Sequence, residues 1–227
     1  EDAPLTVFET GDFWSNTIKI RPVGSSAPPR TIYQSDKFQA DAIFRPDRVY
    51  FRTNRDAPNW KLMAASYEHP DYADWTTLIP EGATVMDEVA VTREAIIVRE
   101  HADVVARLAL HAQDGRRLRE LEPPVFGSVV ALAYDVRADM PYAALASHVA
   151  PPSLSALAPP SFAWKQVWQD DEPFDASMLV SKRVYVPAKD GAKIPVFIVH
   201  RKDVQLDGAN PTLLSGYGGF NIAVEPY

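Results

Sequence analysis

The residue in this chain most suited to chemistry is a tyrosine set among glycines, Gly216-Tyr217-Gly218-Gly219-Phe220, directly after the short apolar run Pro211-Thr212-Leu213-Leu214-Ser215. A phenol is a neutral hydrogen-bond donor, and flanking glycines let the backbone turn tightly and approach closely. A phosphate cradle is disfavoured, because no Lys-Ser/Thr pair follows the glycines as a P-loop requires. On the pentapeptide alone, Tyr217 reads first as a packed aromatic in a glycine turn. The histidines at 69, 101, 111, 148 and 200 are scattered, with no H-E-x-x-H and no His/Asp cluster at metal-ligand spacing. His101-Ala102-Asp103 reads as a solvated turn between strands, and His200 as a structural residue at a strand end. Trp14, Trp60, Trp75, Trp164 and Trp168 are spread as core or edge packing would spread them. With no cysteine at all, disulfides, thiolate zinc sites and a cysteine nucleophile are excluded. No metal and no cofactor is expected.

The charge balance narrows the partners. Lys+Arg number 23 against 30 Asp+Glu, a net charge of −7. The densest basic cluster, Arg116-Arg117-x-Arg119, is answered at once by Glu120 and Glu122, so it reads as a solvated strand face. No surface for nucleic acid is expected, since several phosphates could not be neutralised. No stretch approaches the ~18 apolar residues of a membrane span, and Glu1-Asp2-Ala3-Pro4 opens no signal peptide, so no membrane partner is expected. The first residues read like the middle of something longer. A cysteine-free chain suits cytosol and periplasm alike; cytoplasmic is the expectation, with periplasm or secretion open.

The elements that must carry these residues are mostly strands. Twenty prolines against 10 glycines, with little helical periodicity, point to β structure with proline-marked turns. The runs Val49–Thr53, Ile96–Glu100 and Ala143–Ser147 recur at a spacing of about 47 residues. Each is followed by a second run centred on Leu62, Leu108 and Leu154. Third runs fall at Trp75–Ile79, Arg117–Leu121 and Gln166–Trp168. A period in the forties with about four strands per unit fits propeller blades; a β-sandwich with even strand spacing is the alternative. About three units fit between Gln39 and Gln169, with part of another in Phe8–Ile32. Because a ring must close to protect its edges, an upstream half is expected beyond residue 1.

The character changes after Asp170-Asp171-Glu172-Pro173. Lys182–Pro187 and Ile194–His200 flank a Lys189-Asp190-Gly191-Ala192 turn, which reads as a hairpin. Pro211–Ser215 reads as a buried strand emptying into the glycine loop. The expected architecture is therefore mainly β, with blades over 1–172 and the opening of an α/β domain over 173–227.

The stretch Lys189-Asp190-Gly191-x-Lys193-Ile194-Pro195-Val196-Phe197-Ile198-Val199-His200-Arg201-Lys202, followed by Leu206-Asp207-Gly208-x-Asn210-Pro211-Thr212-Leu213-Leu214-x-Gly216-Tyr217-Gly218-Gly219-Phe220-Asn221-Ile222, closely resembles prolyl oligopeptidases. Thr53-Asn54-x-x-Ala57-Pro58-Asn59-Trp60-Lys61-Leu62 and Leu108-x-Leu110-His111 extend the resemblance upstream. It implies a partial seven-bladed β-propeller followed by the first strands of an α/β-hydrolase domain. It further implies a serine peptidase that cleaves short peptides after proline and works as a monomer at full length.

Such an enzyme needs a nucleophilic serine, a histidine base and an orienting aspartate, with the serine on a G-x-S-x-G turn. No such motif is present; Ser215 comes nearest, but Leu213 stands where the glycine belongs. The resemblance places all three triad residues after Tyr227, so residues 1–227 alone are expected to be inactive. One catalytic group carries over: Tyr217 matches the family's oxyanion tyrosine. Phe220 matches the phenylalanine that lines the proline pocket, and Gly216, Gly218 and Gly219 are assigned backbone roles. Two other readings remain open at this stage. One is a non-catalytic propeller that binds peptides or proteins; the other is a related oligopeptidase specific for basic residues.

Overall fold

A computed structural model describes residues 5–171, 175–219 and 224–226. Strands β1 (Leu5–Gly11), β2 (Asn16–Pro22) and β3 (Arg30–Gln34) form a three-stranded sheet. The next four, β4 (Ala40–Phe44), β5 (Val49–Thr53), β6 (Lys61–Ala65) and β7 (Thr76–Ile79), form an antiparallel meander in chain order. A second such sheet contains β8 (Val85–Val91), β9 (Ile96–Ala102), β10 (Val105–His111) and β11 (Arg117–Leu121). A third contains β12 (Ser128–Asp135), β13 (Met140–Ser147), β14 (Ala150–Ala158) and β15 (Ala163–Gln169). A two-stranded hairpin, β16 (Leu179–Pro187) with β17 (Lys193–Arg201), follows. Three meanders repeating at the spacing read from the sequence are propeller blades rather than the leaves of a sandwich.

The chain divides into two compact units, residues 1–100 with 109–119, and residues 101–108 with 120–227. In the first unit, the packing follows from the two-residue period of a strand. Phe51 and Val49 on β5, with Met63 and Ala65 on β6, face Ile18, Ile20, Ile32 and Tyr33. Tyr50 on β5, with Leu62 and Ala64 on β6, faces Met86, Val91, Ile96 and Val98. Successive residues therefore bury opposite faces of one sheet, which is why β5 and β6 read as nearly continuous apolar runs. Trp75 fills the first of these layers. Its ring stacks on Phe51 at 3.6 Å and on Tyr33 at 5.4 Å, and its indole N–H donates to the Pro70 carbonyl at 2.9 Å. A buried indole donor is thus satisfied, and the ring contributes area without an orphaned polar atom.

Polar side chains tie sheet to sheet within this unit. Asn16, buried on β2, donates to the Ala40 carbonyl at 2.7 Å and accepts from the Ala40 amide at 2.9 Å. Arg52 on β5 pairs with Asp41 at 2.5 Å in its own sheet and donates to the carbonyls of Met86 (3.1 Å) and Asp87 in the next. The Trp60 ring covers its guanidinium at 3.9 Å. One repeat later, Arg99 on β9 pairs with Asp87 on β8, as Arg52 pairs with Asp41. A guanidinium has five donors in a rigid fork, so one side chain can serve a carboxylate and two carbonyls together.

In the second unit β12, β13 and β14 pair with bulges at Val129/Ala131 and Leu145/Ser147. The hairpin β16–β17 pairs without interruption from Leu179↔Arg201 to Pro187↔Lys193. Its turn closes through the Ala188 amide to the Ala192 carbonyl at 2.7 Å, with Gly191 at φ +87°. That left-handed conformation is the reason for glycine there.

Two substitutions test this packing in the folded protein by denaturant unfolding. Trp75→Ala should cost about 3–5 kcal/mol, the range for removing a large buried aromatic. Arg52→Met keeps the apolar stem but leaves Asp41 and two carbonyls without their donor, and should cost about 1.5–3 kcal/mol. Losses below about 0.5 kcal/mol for both would contradict the account.

Candidate functional site

The glycine–tyrosine segment begins where β17 ends. Arg201 forks onto Asp203 at 2.9 and 2.6 Å, and the Lys202 amide donates to the Met178 carbonyl at 2.8 Å. The loop then turns at Asp207, whose carboxylate accepts from the Ala209 amide at 2.9 Å, and Asn210 donates to the Gln205 carbonyl at 2.6 Å. Residues 211–218 carry no strand, which corrects the expectation of a buried strand over Pro211–Ser215. Leu213 and Leu214 are 93% and 85% exposed. An apolar run becomes a strand only where a neighbouring strand takes its N–H and C=O groups, and none of the described strands lies beside this one.

Tyr217 is 56% exposed. Its ring folds back over Gly219: a Cβ at that position would stand 2.9 Å from the phenolic oxygen and 3.1 Å from Cζ. Close approach thus explains Gly219. It does not explain Gly216 or Gly218, around which a Cβ would find open space and neither of which has a positive φ. The expected backbone role is confined to one glycine of the three. Phe220 lies outside the described residues.

Strand β16 and Glu225, on either side of this segment in sequence, both meet the turn between β9 and β10. The turn between β9 and β10 was read as solvated, yet its side chains are engaged. Asp103 accepts from the Tyr185 hydroxyl at 2.8 Å through its carboxylate and from Arg183 at 3.0 Å through its carbonyl. The hydrogen bond to Asp103 holds the Tyr185 phenol above its usual pKa. His101 donates through Nε2 to Glu225 at 2.7 Å, and the Ser128 hydroxyl donates to the other oxygen of the same carboxylate. Asp103 is exposed, as a solvated turn implies; what local sequence does not signal is its partners, which lie 80 or more residues along the chain.

Serine, histidine and carboxylate therefore meet, but not as a nucleophile with its base. In a catalytic triad the imidazole stands between the hydroxyl and the carboxylate and takes the proton. Here the Glu225 carboxylate stands in the middle, and Ser128 is fully buried and accepts from the Ala106 amide at 2.8 Å. Among the described residues no group of three or more His, Cys, Asp or Glu is placed to hold a metal ion.

Elsewhere two histidines are packed rather than reactive. His148 sits 3.1 Å from the Ser181 hydroxyl and 5.3 Å from the Phe197 ring, and burial pushes its pKa down. His111 lines a cavity of about 480 Å³ with Trp60, Glu100 and Arg117. It donates to the Gly115 carbonyl at 2.9 Å, and burial is the main cause of its lowered pKa. Beside it Glu100 accepts from Arg117 at 2.7 Å and from the Thr84 hydroxyl at 3.1 Å.

The family model for the N-terminal β-propeller domain of prolyl oligopeptidase matches residues 6–160. The chain belongs to the prolyl oligopeptidase family. A prolyl endopeptidase of Elizabethkingia miricola is 25% identical over 180 residues, 79% of this chain and 25% of its own length. The dipeptidyl aminopeptidase BI of Pseudoxanthomonas mexicana is 29% identical over 201 residues, 84% of this chain and 27% of its own. Among solved structures, one from a study of two prolyl endopeptidases superposes with a TM-score of 0.88 at 23% identity, over 99% of this chain and 33% of that one. Prolyl oligopeptidase B from Galerina marginata, bound to a 25-residue macrocyclization substrate, gives 0.85 at 22% identity, over 100% and 33%. At those identities the likeness is one of fold. The chain spans about a quarter of the length of the curated relatives it matches. No helix among the described residues of this prolyl oligopeptidase family member is long and apolar enough to cross a membrane.

His111, which is buried, and His148, which is half-buried, set a pH dependence. Their folded-state pKa lies below the ordinary ~6.5, so just below that pH the unfolded chain binds more protons and acid favours unfolding. Their contribution is complete above about pH 6.5 and is lost as the pH falls toward the depressed value. Between pH 7.5 and 5.5 the Tm of the wild-type protein should fall by on the order of 2 °C more than that of a His111→Gln variant. An equal fall in both would show that His111 is not held neutral by its surroundings.

Proposed function

We propose that this chain is part of a serine endopeptidase that cleaves short peptides on the carboxyl side of proline. Residues 1–172 form the propeller portion, and residues 173–227 begin the hydrolase domain. The triad follows the glycine loop, and acyl transfer runs through the serine. Tyr217 is the oxyanion donor, working with a backbone N–H beside that serine, and Phe220 packs against the pyrrolidine ring of the substrate. The observation that carries this reading is the Lys189–Lys202 stretch, followed by the exposed Tyr217 in its glycine loop.

The chemical argument is one of timing. A neutral phenol binds a ground-state carbonyl weakly and the developing oxyanion strongly, so its contribution falls on kcat. No cofactor takes part in this scheme. The alternative within the same enzyme class is a related oligopeptidase specific for basic residues; a dipeptidyl aminopeptidase is among the relatives of this chain, and oligopeptidase B from Leishmania major shares its fold at a TM-score of 0.80 and 19% identity.

In the complete protein, Tyr217→Phe should lower kcat on a proline peptide by roughly 10²–10³, with KM little changed. A change within about twofold, with acylation shown to limit the rate, would return Tyr217 to a packed aromatic. Comparing substrates with proline and with arginine before the scissile bond separates the two specificities. A fluorophosphonate, which labels activated serines, should leave residues 1–227 unmodified. Stoichiometric labelling would place a nucleophile inside this chain.

A further inference from the structure

The cavity of about 480 Å³ lies wholly within the first unit, lined by the connection between β7 and β8 and by the turn between β10 and β11. Small-molecule sites run from about 300 to 1,000 Å³ and combine an apolar wall with a few placed polar groups. Here Ile79, Met86 and Val98, all buried, join the Trp60 ring on the apolar side. Glu81, Glu100, His111 and Arg117 supply charge and hydrogen bonds.

Three observations set this cavity apart from a packing gap. The His111 imidazole is 5% exposed, and its tautomer is fixed: a carbonyl only accepts, so Nδ1 carries the proton given to Gly115. Burial keeps the ring neutral, and Nε2 is left as an acceptor to which no group among the described residues donates. A buried acceptor without a donor carries a cost that a ligand N–H would offset. Gly115 is itself compelled, with φ +87° and no room for a Cβ beside the Leu78 carbonyl, so the turn that orients His111 needs glycine. Trp60 has φ +66°, a conformation that a bulky residue keeps only where its surroundings over-determine the backbone. Its amide donates to the Ala57 carbonyl at 2.7 Å, and the Arg52 guanidinium lies over its ring at 3.9 Å. Strain of this kind gathers at ligand clamps.

The charge on the walls selects the ligand. Glu100, with 14% of its side chain exposed, is held by Arg117 at 2.7 Å and by the Thr84 hydroxyl at 3.1 Å. Those bonds use two of about four lone-pair sites on the carboxylate. Glu81 accepts from the Asn59 amide at 2.7 Å and stands exposed. With His111 neutral, the lining holds two carboxylates against one guanidinium, so a cation is favoured and an anion is repelled. We propose that this cavity binds a small ammonium ligand with an apolar body, its N–H groups donating to Glu100 and to His111 Nε2 and its body lying against Trp60.

The test titrates the complete protein calorimetrically with 2-phenylethylamine, an ammonium ion at neutral pH, and with 2-phenylethanol and phenylacetate as neutral and anionic controls. The amine should bind at one site with a Kd on the order of 1 mM, the alcohol about tenfold more weakly, and phenylacetate not measurably. Glu100→Gln, which keeps the shape of the side chain, should bring the amine to roughly the level of the alcohol. His111→Phe keeps a ring but removes the acceptor, and should weaken the amine by about fivefold. Glu81→Gln changes an exposed residue, so it tests the charge without touching the packing, and should weaken the amine by about two- to threefold. Its result stands even if either of the other variants fails to fold. Phenylacetate binding as tightly as the amine would overturn the site. So would an amine affinity that every folded variant leaves unchanged, or no amine binding up to about 20 mM, twentyfold the expected Kd.

Discussion

A small antiparallel sheet that must bury both of its faces has no solution alone, and that requirement shapes the first unit of this chain. Every residue of β5 except Arg52 is buried, and the strand's apolar side chains divide between two neighbours according to parity. Packing two sheets on a third leaves backbone carbonyls at the seams, where water is scarce and an unpaired acceptor is costly. Arg52 answers this at one seam and Asn16 at another, each by reaching from one sheet to main-chain atoms of the next. The polar residues at these seams are therefore as much part of the packing as Phe51 or Trp75.

Much of the fold could be read because the repeat imposes the same burial on each sheet. Val49–Thr53, Ile96–Glu100 and Ala143–Ser147 coincide with or lie within β5, β9 and β13, the second strand of each meander. The first strands, β4, β8 and β12, gave no comparable signal. Ala40–Phe44 is mostly half-buried, and Val85–Val91 carries Asp87 and Glu88 in its middle. Those carboxylates are there to receive arginines, so the pattern that marks a strand is broken by the groups that join it to its partner.

The candidate site was legible to a different degree in each part. The hairpin and its Asp-Gly turn followed from local chemistry, since a left-handed glycine and a short polar turn between β-rich runs leave little choice. The Leu213-Leu214 run misled because its apolarity speaks of burial, whereas strand formation depends on a partner that composition cannot name. The grip of His101 and Asp103 was illegible for a third reason. Short polar residues in a tight turn have the same composition whether they face water or a distant arginine, tyrosine or glutamate.

The parity of β5 has a consequence for how this sequence can drift in length. Inserting one residue within the strand would exchange Tyr50 with Phe51 and turn Arg52 away from Asp87, so both interfaces would be lost in a single step. Two residues would restore parity but move every cross-strand pair, including Phe51↔Met63. Indels should therefore collect in connections such as residues 66–74, and the spacing between blades can vary while the reading frame of each strand stays fixed.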